Sequence, residues 1–310
     1  MKISVIVPCY NEQDTVQRFY DAIKPILTSL DGFYHEIIFV NDGSRDNTRE
    51  ILSRVAANDE NVKVVTFSRN FGQQAAILCG FGKCSGDCAI ELDCDLQDPV
   101  EVIPQMVAKW KEGYDVVHGR RVRRKGETLF KKITAYFYYK RLARISSVDI
   151  PRDTGDFKLL DRKVLDVIIS LPERNKYLRG LESWVGFRQA FVDYERKERV
   201  GGKTHYTLKK MVALAKAGVI ANSNHPLTLS LKLGITMSVL SVLGFAALIV
   251  LAAAGVDFDA AMWILPTVTI TGSMVILCNA ITDMYIEKIH EQTQNRPEYI
   301  IEEETNFPAK

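Results

Sequence analysis

Short β-branched runs alternate with amphipathic stretches through the first 120 residues of the chain. Ile3-Ser4-Val5-Ile6-Val7 closes at Pro8 and reads as a buried first strand. Cys9-Tyr10-Asn11-Glu12 forms a loop, after which Asp14 or Thr15 is placed to cap a helix reaching to about Leu30. The unit then repeats. Strands are expected over 36–40, 62–67, 87–92 and 115–119, with helices over 48–58, 73–82 and 102–111 between them. Strands alternating with helices predict an α/β fold with a parallel sheet and right-handed crossovers.

The pattern changes after residue 216. Residues 233–256 and 262–281 carry no charged side chain, and only Asp257-Phe258-Asp259 interrupts the apolar run between them. Each run is about long enough to cross a bilayer, so a two-helix transmembrane hairpin is expected, with a buried hairpin in a soluble core as the alternative. Lys203, Lys209, Lys210, Lys216 and Lys232 precede it, and Lys288 and Arg296 follow. The positive-inside rule then places both flanks in the cytoplasm, on the inner face of a multi-pass membrane protein. The expected organisation is a catalytic domain over 1–200, an interfacial juxtamembrane segment over 201–226, the two membrane helices within 227–284, and a polar, partly disordered tail over 285–310.

Composition narrows this picture only a little. A net charge of +2 over 310 residues points to no nucleic-acid partner. The six cysteines form no C-x-x-C pair and have no histidines at ligand spacing, so they read as reduced core thiols and not as a zinc site. The first apolar run stops at Pro8 without a basic leader, so no secretory signal is expected.

The candidate chemistry collects where strands end. Ligands of parallel sheets bind at the carboxyl ends of the strands, and here those ends carry Pro8-Tyr10-Glu12, Asp42, Ser68-Arg69-Asn70 and Asp93-Asp95-Gln97. Along an extended chain Asp93, Asp95 and Gln97 share a face, an oxygen set suited to a hard cation such as Mg2+ or Mn2+. A solvated acidic turn is the bland alternative. No G-x-G-x-x-G follows the first strand and no P-loop is present, which argues against a dinucleotide site.

Three ordered motifs, Val5-Ile6-Val7-Pro8-Cys9-Tyr10-Asn11-Glu12, Val40-Asn41-Asp42-Gly43-Ser44-Arg45-Asp46-Asn47-Thr48 and Leu92-Asp93-Cys94-Asp95-Leu96-Gln97-Asp98-Pro99, resemble those of family-2 glycosyltransferases. The closer resemblance is to the polyprenyl-phosphate branch, the bactoprenol glucosyltransferases and dolichol-phosphate mannose synthases. The resemblance implies a GT-A fold, a nucleotide-diphosphate sugar donor, a divalent metal and inversion at the anomeric carbon. It places donor base and ribose at Pro8, Tyr10, Glu12 and Asp42, with Arg69 also on the donor side. It places the metal and diphosphate at Asp93 and Asp95, with Gln97 as third ligand, and a carboxylate near the acceptor at Asp156. That last residue has a structural alternative, in which Asp153 or Asp156 caps a helix starting near Arg162.

Between these motifs lie basic stretches. Arg120-Arg121-Val122-Arg123-Arg124-Lys125 is either a solvated loop or a phosphate grip. Residues 129–145 mix aromatics with Lys131, Lys132 and Lys140, and 207–219 form a second basic amphipathic stretch; both suit a lipid interface. Arg120, Arg124, Lys132, Arg199 and Lys203 are the candidates for holding an acceptor phosphate. His118, alone on its strand, reads as structural.

The expected activity is transfer of glucose from UDP-glucose to undecaprenyl phosphate in the bilayer. GDP-mannose transfer, another lipid acceptor and a non-enzymatic membrane scaffold are the alternatives. The partners are thus a nucleotide-diphosphate sugar, a polyprenyl phosphate, the membrane and a second copy of the chain.

Overall fold

A computed structural model of the chain describes residues 1–123, 154–174, 176–196, 225–255 and 261–308. Three βα units open it. β1 (Lys2–Cys9), β2 (Tyr34–Asn41), β3 (Val62–Phe67) and β4 (Cys88–Glu91) are separated by α1 (Val16–Thr28), α2 (Thr48–Asn58) and α3 (Gln73–Lys83). These are the strands and helices that the apolar pattern predicts, to within a few residues at each end. Their buried residues give the reason: β1 buries Ile3, Val5, Ile6 and Val7 on both faces, as a central parallel strand must. The sheet separates two apolar layers. One gathers Val5, Val7, Phe19, Ile23, Phe39 and Leu52; the other gathers Ile6, Ile38, Val40, Phe67, Ile77 and Phe81.

β1 pairs in parallel with β2 and with β4, and β2 with β3. Beyond β4 the sheet is mixed. The chain passes through a short 3-10 turn and α4 (Ile103–Lys111) into β5 (Val116–Arg123) and β6 (Thr154–Asp161). β6 inserts between β4 and β5 and runs antiparallel to both. α5 (Arg162–Ser170) and α6 (Leu178–Trp184) follow, and β7 (Gln189–Glu195) joins the outer edge parallel to β5. With the C-terminal strand β8 (Ile301–Thr305), the order among the described residues is β7-β5-β6-β4-β1-β2-β3-β8, eight strands in one sheet. A mostly parallel sheet was expected. The departure starts at residues 154–161, an alternating run that pairs backwards with the shortest strand.

The last strand also departs from expectation. The tail expected to be polar and partly disordered supplies β8 (Ile301–Thr305), which pairs antiparallel with β3. Tyr299 stacks on Phe67 with ring centroids 5.0 Å apart, Phe307 packs on the same apolar layer, and Asn306 donates to the carbonyls of Ala56 and Val62. The polar surface of this segment is satisfied by Arg49, which pairs with Glu302 and Glu303, and by Lys83, which pairs with Glu304.

Of the described residues, 225–255 and 261–295 form a second compact unit, while 296–308 belong with the sheet. Within it α7 (His225–Ala253) and α8 (Ala261–Thr293) pack against each other. Among the described residues, one helix is long and apolar enough to cross a membrane by length and composition. Its window is Lys232–Leu251 in α7, none of it buried inside the chain. The expectation of two such helices is met only in that part. The 129–145 and 207–219 segments, Arg124, Lys132, Arg199, Lys203, Asp153 and the 257–259 link lie outside the described residues.

Candidate active site

The carboxyl ends of β4, β1, β2 and β3 stand side by side, so their loops meet at one edge of the sheet. The first two loops are zipped together. The backbone N–H of Asn11 donates to Ser44 Oγ at 3.0 Å, that of Glu12 to Thr48 Oγ1 at 2.8 Å, and that of Arg45 to Asn11 Oδ1 at 2.8 Å. Asn11 takes a left-handed backbone, φ 55°, which asparagine tolerates better than most residues. Glu12 accepts from Thr15 Oγ1 at 2.7 Å. Tyr10 and Glu12 are half-buried on this edge, beside the end of β2 that carries Asp42.

Asp42 is buried and heavily used. It accepts from the backbone N–H of Phe71 at 2.6 Å and of Gly72 at 2.9 Å, and from Asn70 Nδ2 at 2.8 Å. Burial raises its carboxyl above the ordinary range and those N–H donors oppose it. Asp42 therefore fixes the loop after β3. Gly43, at φ 63°, lets that loop come close, since a Cβ there would collide with the Arg69 backbone. Arg69 is exposed and lies over the Phe71 ring at 4.2 Å.

The acidic centre differs from a simple strand end. β4 stops at Glu91, and Leu96 turns the chain with φ 57°. Asp93, Asp95 and Gln97 are thus on a turn, and strand alternation does not align them. Gln97 spends its backbone N–H on Asp95 Oδ1 at 3.0 Å, and Gln73 Nε2 donates to Asp93 Oδ1 at 2.9 Å. Among the described residues no three acidic, histidine or cysteine groups are arranged to hold a metal. What the turn does show is unbalanced negative charge. Burial, then Asp156, Asp95 and Asp98, push the Asp93 carboxyl up to about 7, with Arg121 opposing. A carboxylate under such pressure, with Asp95 two residues away, fits a cation whose remaining ligands come from a bound diphosphate and water.

Asp156 reaches this centre through sheet register. β6 runs against β4 with Lys158 opposite Glu91, the last residue of β4, and Asp156 beyond that pair is close enough to Asp93 to raise its carboxyl. It is a strand residue; the cap of α5 is Asp161, which accepts from the Lys163 N–H at 3.0 Å. Arg179, on α6, grips Asp156 side-on, Nε to Oδ1 at 2.8 Å and Nη2 to Oδ2 at 2.9 Å. Burial opposes ionisation of Asp156, but Arg179, Lys158 and Arg121 outweigh it and hold the carboxyl below its ordinary range. Underneath, Lys158 is fully buried and pairs with Glu182 at 2.7 Å and Glu91 at 3.4 Å.

Alternation along β5 splits the basic run. Arg120 turns outward to Asp193 at 2.6 Å and over the Phe191 ring, about half-exposed and on the far side from Asp98. Arg121 turns inward: Nη2 lies 3.2 Å from Asp98 Oδ2, and Nε donates to the Tyr194 hydroxyl at 3.0 Å. Gly155 makes room for it, since a Cβ there would come 2.5 Å from Arg121 Nη2. Asp98 also accepts from the Tyr194 hydroxyl at 2.6 Å. Arg121, Asp98 and Tyr194 are site residues that the sequence reading missed; the two-residue period of β5 was the available signal for Arg121. His118 is buried, donates to or accepts from Gln189 at 3.1 Å and stacks on Phe191; burial and Lys158 lower its pKa to about 4. Its ring is thus engaged in packing and hydrogen bonding with β7. All six cysteines are free, five of them buried.

A mixed α/β sheet presenting carboxylates and guanidiniums at the ends of its parallel strands is the architecture of a GT-A-like sugar transferase. Residues 4–169 match the model of Glycosyl transferase family 2, and the chain belongs to that family. An uncharacterized glycosyltransferase of Bacillus subtilis is 41% identical over all of this chain and 96% of its own. The bactoprenol glucosyl transferase of Shigella phage SfV is 35% identical over 98% of this chain and 99% of its own. The fold is also that of the glucosyl-3-phosphoglycerate synthase of Mycobacterium tuberculosis, crystallised with Mn2+, UDP and phosphoglyceric acid (21% identity, TM-score 0.53, 71% of this chain and 76% of that one). The chain is an enzyme, a glycosyltransferase.

Proposed function

We propose that this glycosyltransferase moves a sugar, with UDP-glucose as the favoured donor, onto the phosphate of a membrane polyprenol such as undecaprenyl phosphate, inverting the anomeric centre. The carrying observation is the order of groups along the sheet edge. Donor-side loops stand at β1 and β2, the acidic turn at β4, and the Asp156–Arg179 pair beyond it at β6. A leaving group over β1 and β2 and a nucleophile over β6 flank the sugar from opposite sides, as in-line displacement requires. The relatives named bactoprenol glucosyl transferase support the acceptor.

Asp93 and Asp95 would hold Mg2+ or Mn2+ against the donor diphosphate, where the cation supplies Lewis acidity to the departing nucleotide. The chain's own groups do the positioning. A phosphate monoester is already largely dianionic near neutral pH, since its second pKa is about 6. It needs no base. Asp156, held ionised in the Arg179 fork, is suited to orient cations around that phosphate, and Arg121 brings a second guanidinium to the same edge.

The return of the chain to its own sheet supports a two-span anchor. β8, which follows α8 in the chain, pairs with β3 of the sheet. If α7 crosses a bilayer, α8 has to cross back, and its residues 262–281 are uncharged. Both flanks then face the cytoplasm, where nucleotide sugars are found. The test is a panel of radiolabelled nucleotide sugars with undecaprenyl phosphate, read by extraction into organic solvent. Label in the lipid phase, abolished by chelator, is the expected result; no lipid product from any donor would refute it.

A further inference from the structure

We propose that Arg179 is a direct ligand of the acceptor phosphate, held ready by Asp156; this rests on the polyprenyl-phosphate reading above. A guanidinium has five N–H donors, and the side-on grip on Asp156 uses one on Nε and one on Nη2. The three others are uncommitted among the described residues. Two of them lie along the Nη1/Nη2 edge, whose spacing matches two oxygens of a phosphate. The Arg179 side chain is 31% exposed, against 17% for Arg121 and 1% for Lys158, so it is the most accessible of the three cations.

The support behind Arg179 is rigid. Its helix is tied to the sheet from below by Glu182, whose carboxylate takes the Lys158 ammonium at 2.7 Å. Leu178 N–H donates to Gln74 Oε1 at 3.3 Å on the other flank. Asp156 orients the fork without filling it. Charge favours the arrangement as well. Asp93, Asp95, Asp98 and Asp156 make the centre anionic, and an anionic acceptor can approach only where a cation faces it. On the β6 side Arg179 and Arg121 are the partly exposed cations, and Arg179 is the more exposed. Binding there places a phosphate oxygen on the side of the sugar away from the β1 and β2 loops. The bond made is from that oxygen to the anomeric carbon; the bond broken is from the anomeric carbon to the nucleotide's terminal phosphate oxygen, which leaves with the electron pair. No proton has to move.

The experiment compares wild type, Arg179→Gln, Arg179→Lys and Asp156→Asn as full chains in detergent, with separate KM values for undecaprenyl phosphate and for the donor. Retained UDP binding shows that each variant is folded. Arg179→Gln is expected to raise the acceptor KM about tenfold or more, equivalent to about 1.4 kcal/mol of lost binding, with the donor KM unchanged. Arg179→Lys, which keeps the charge but loses the fork, is expected to fall between the two. If Arg179→Gln does not bind UDP, Arg179→Lys alone decides by the same shift. An unchanged acceptor KM with a lowered kcat in whichever variant still binds UDP would reduce Arg179 to a support for Asp156 and overturn the proposal. A wild-type enzyme that makes no lipid product takes down the functional reading and this inference together.

Discussion

The two halves of the sheet edge are built on different principles. On the β1–β2 side, neutral and backbone hydrogen bonds join neighbouring loops, as in Asn11 with Ser44 and Arg45, Glu12 with Thr48, and Asp42 with Phe71 and Gly72. On the β5–β6 side, ion pairs dominate: Asp98 with Arg121, Asp156 with Arg179, Lys158 with Glu182 and Glu91. The first arrangement ties the loops to one another through groups that carry little free charge. The second stores cations and anions close together, which a ligand of matching charge can rearrange. A nucleotide suits the first half and a phosphate anion the second.

The largest expected effect comes from the buried floor of the charged half. Lys158→Met keeps the volume but leaves Glu182 and Glu91 without their cation. Removing one partner of a buried pair costs about 3–5 kcal/mol, so the variant's unfolding temperature in detergent should drop sharply or the chain should fail to fold. A melting point close to wild type would show that the floor is not electrostatically coupled. Next come the carboxylates at the reacting centre. Asp93→Asn or Asp95→Asn should lower kcat by about a hundredfold or more, the scale of losing a preorganised charge contact to the transition state. Asp156→Asn should lose only about tenfold, because its role is to orient a phosphate that is already ionised. A larger loss at Asp156 with donor binding intact would instead make it a general base.

The last effect lies at the foot of the β1–β2 half and concerns stability below neutral pH, where the enzyme is not expected to work. Burial works against ionisation of Glu36, but Lys2 at 2.7 Å, Lys63 at 2.8 Å and Ser4 at 2.6 Å outweigh it and lower its pKa to about 2. The folded value lies below the unfolded one, so the stabilisation is present above about pH 4.5 and is lost as pH falls towards 2. It amounts to at most about 3 kcal/mol. Denaturant titrations at stepped pH should show this slope in wild type and its absence in Glu36→Gln.

Much of the first half was legible from local pattern. Each βα unit is short, its strand is buried on both faces and reads as a β-branched run, and its polar loop falls where parallel strands end. The second half was not legible in the same way. Residues 154–161 look like a loop with a cap, because nothing local says that they pair antiparallel to β4; Arg120 and Arg121 are indistinguishable until a strand assigns them to opposite faces. The acidic turn was found by type, but its geometry was misjudged, since β4 ends before it and Leu96 bends the chain.

By itself, the sequence determined the α/β class, the strand ends that carry chemistry, the family motifs and the uncharged C-terminal runs, all of which depend on residues close together in the chain. Only the tertiary structure decided that Asp156 comes close to Asp93, that Arg179 grips it, that Arg121 rather than Arg120 faces the centre, and that the tail returns as β8. Those are matters of register and pairing between residues far apart in sequence, where a shift of one position reverses every side chain.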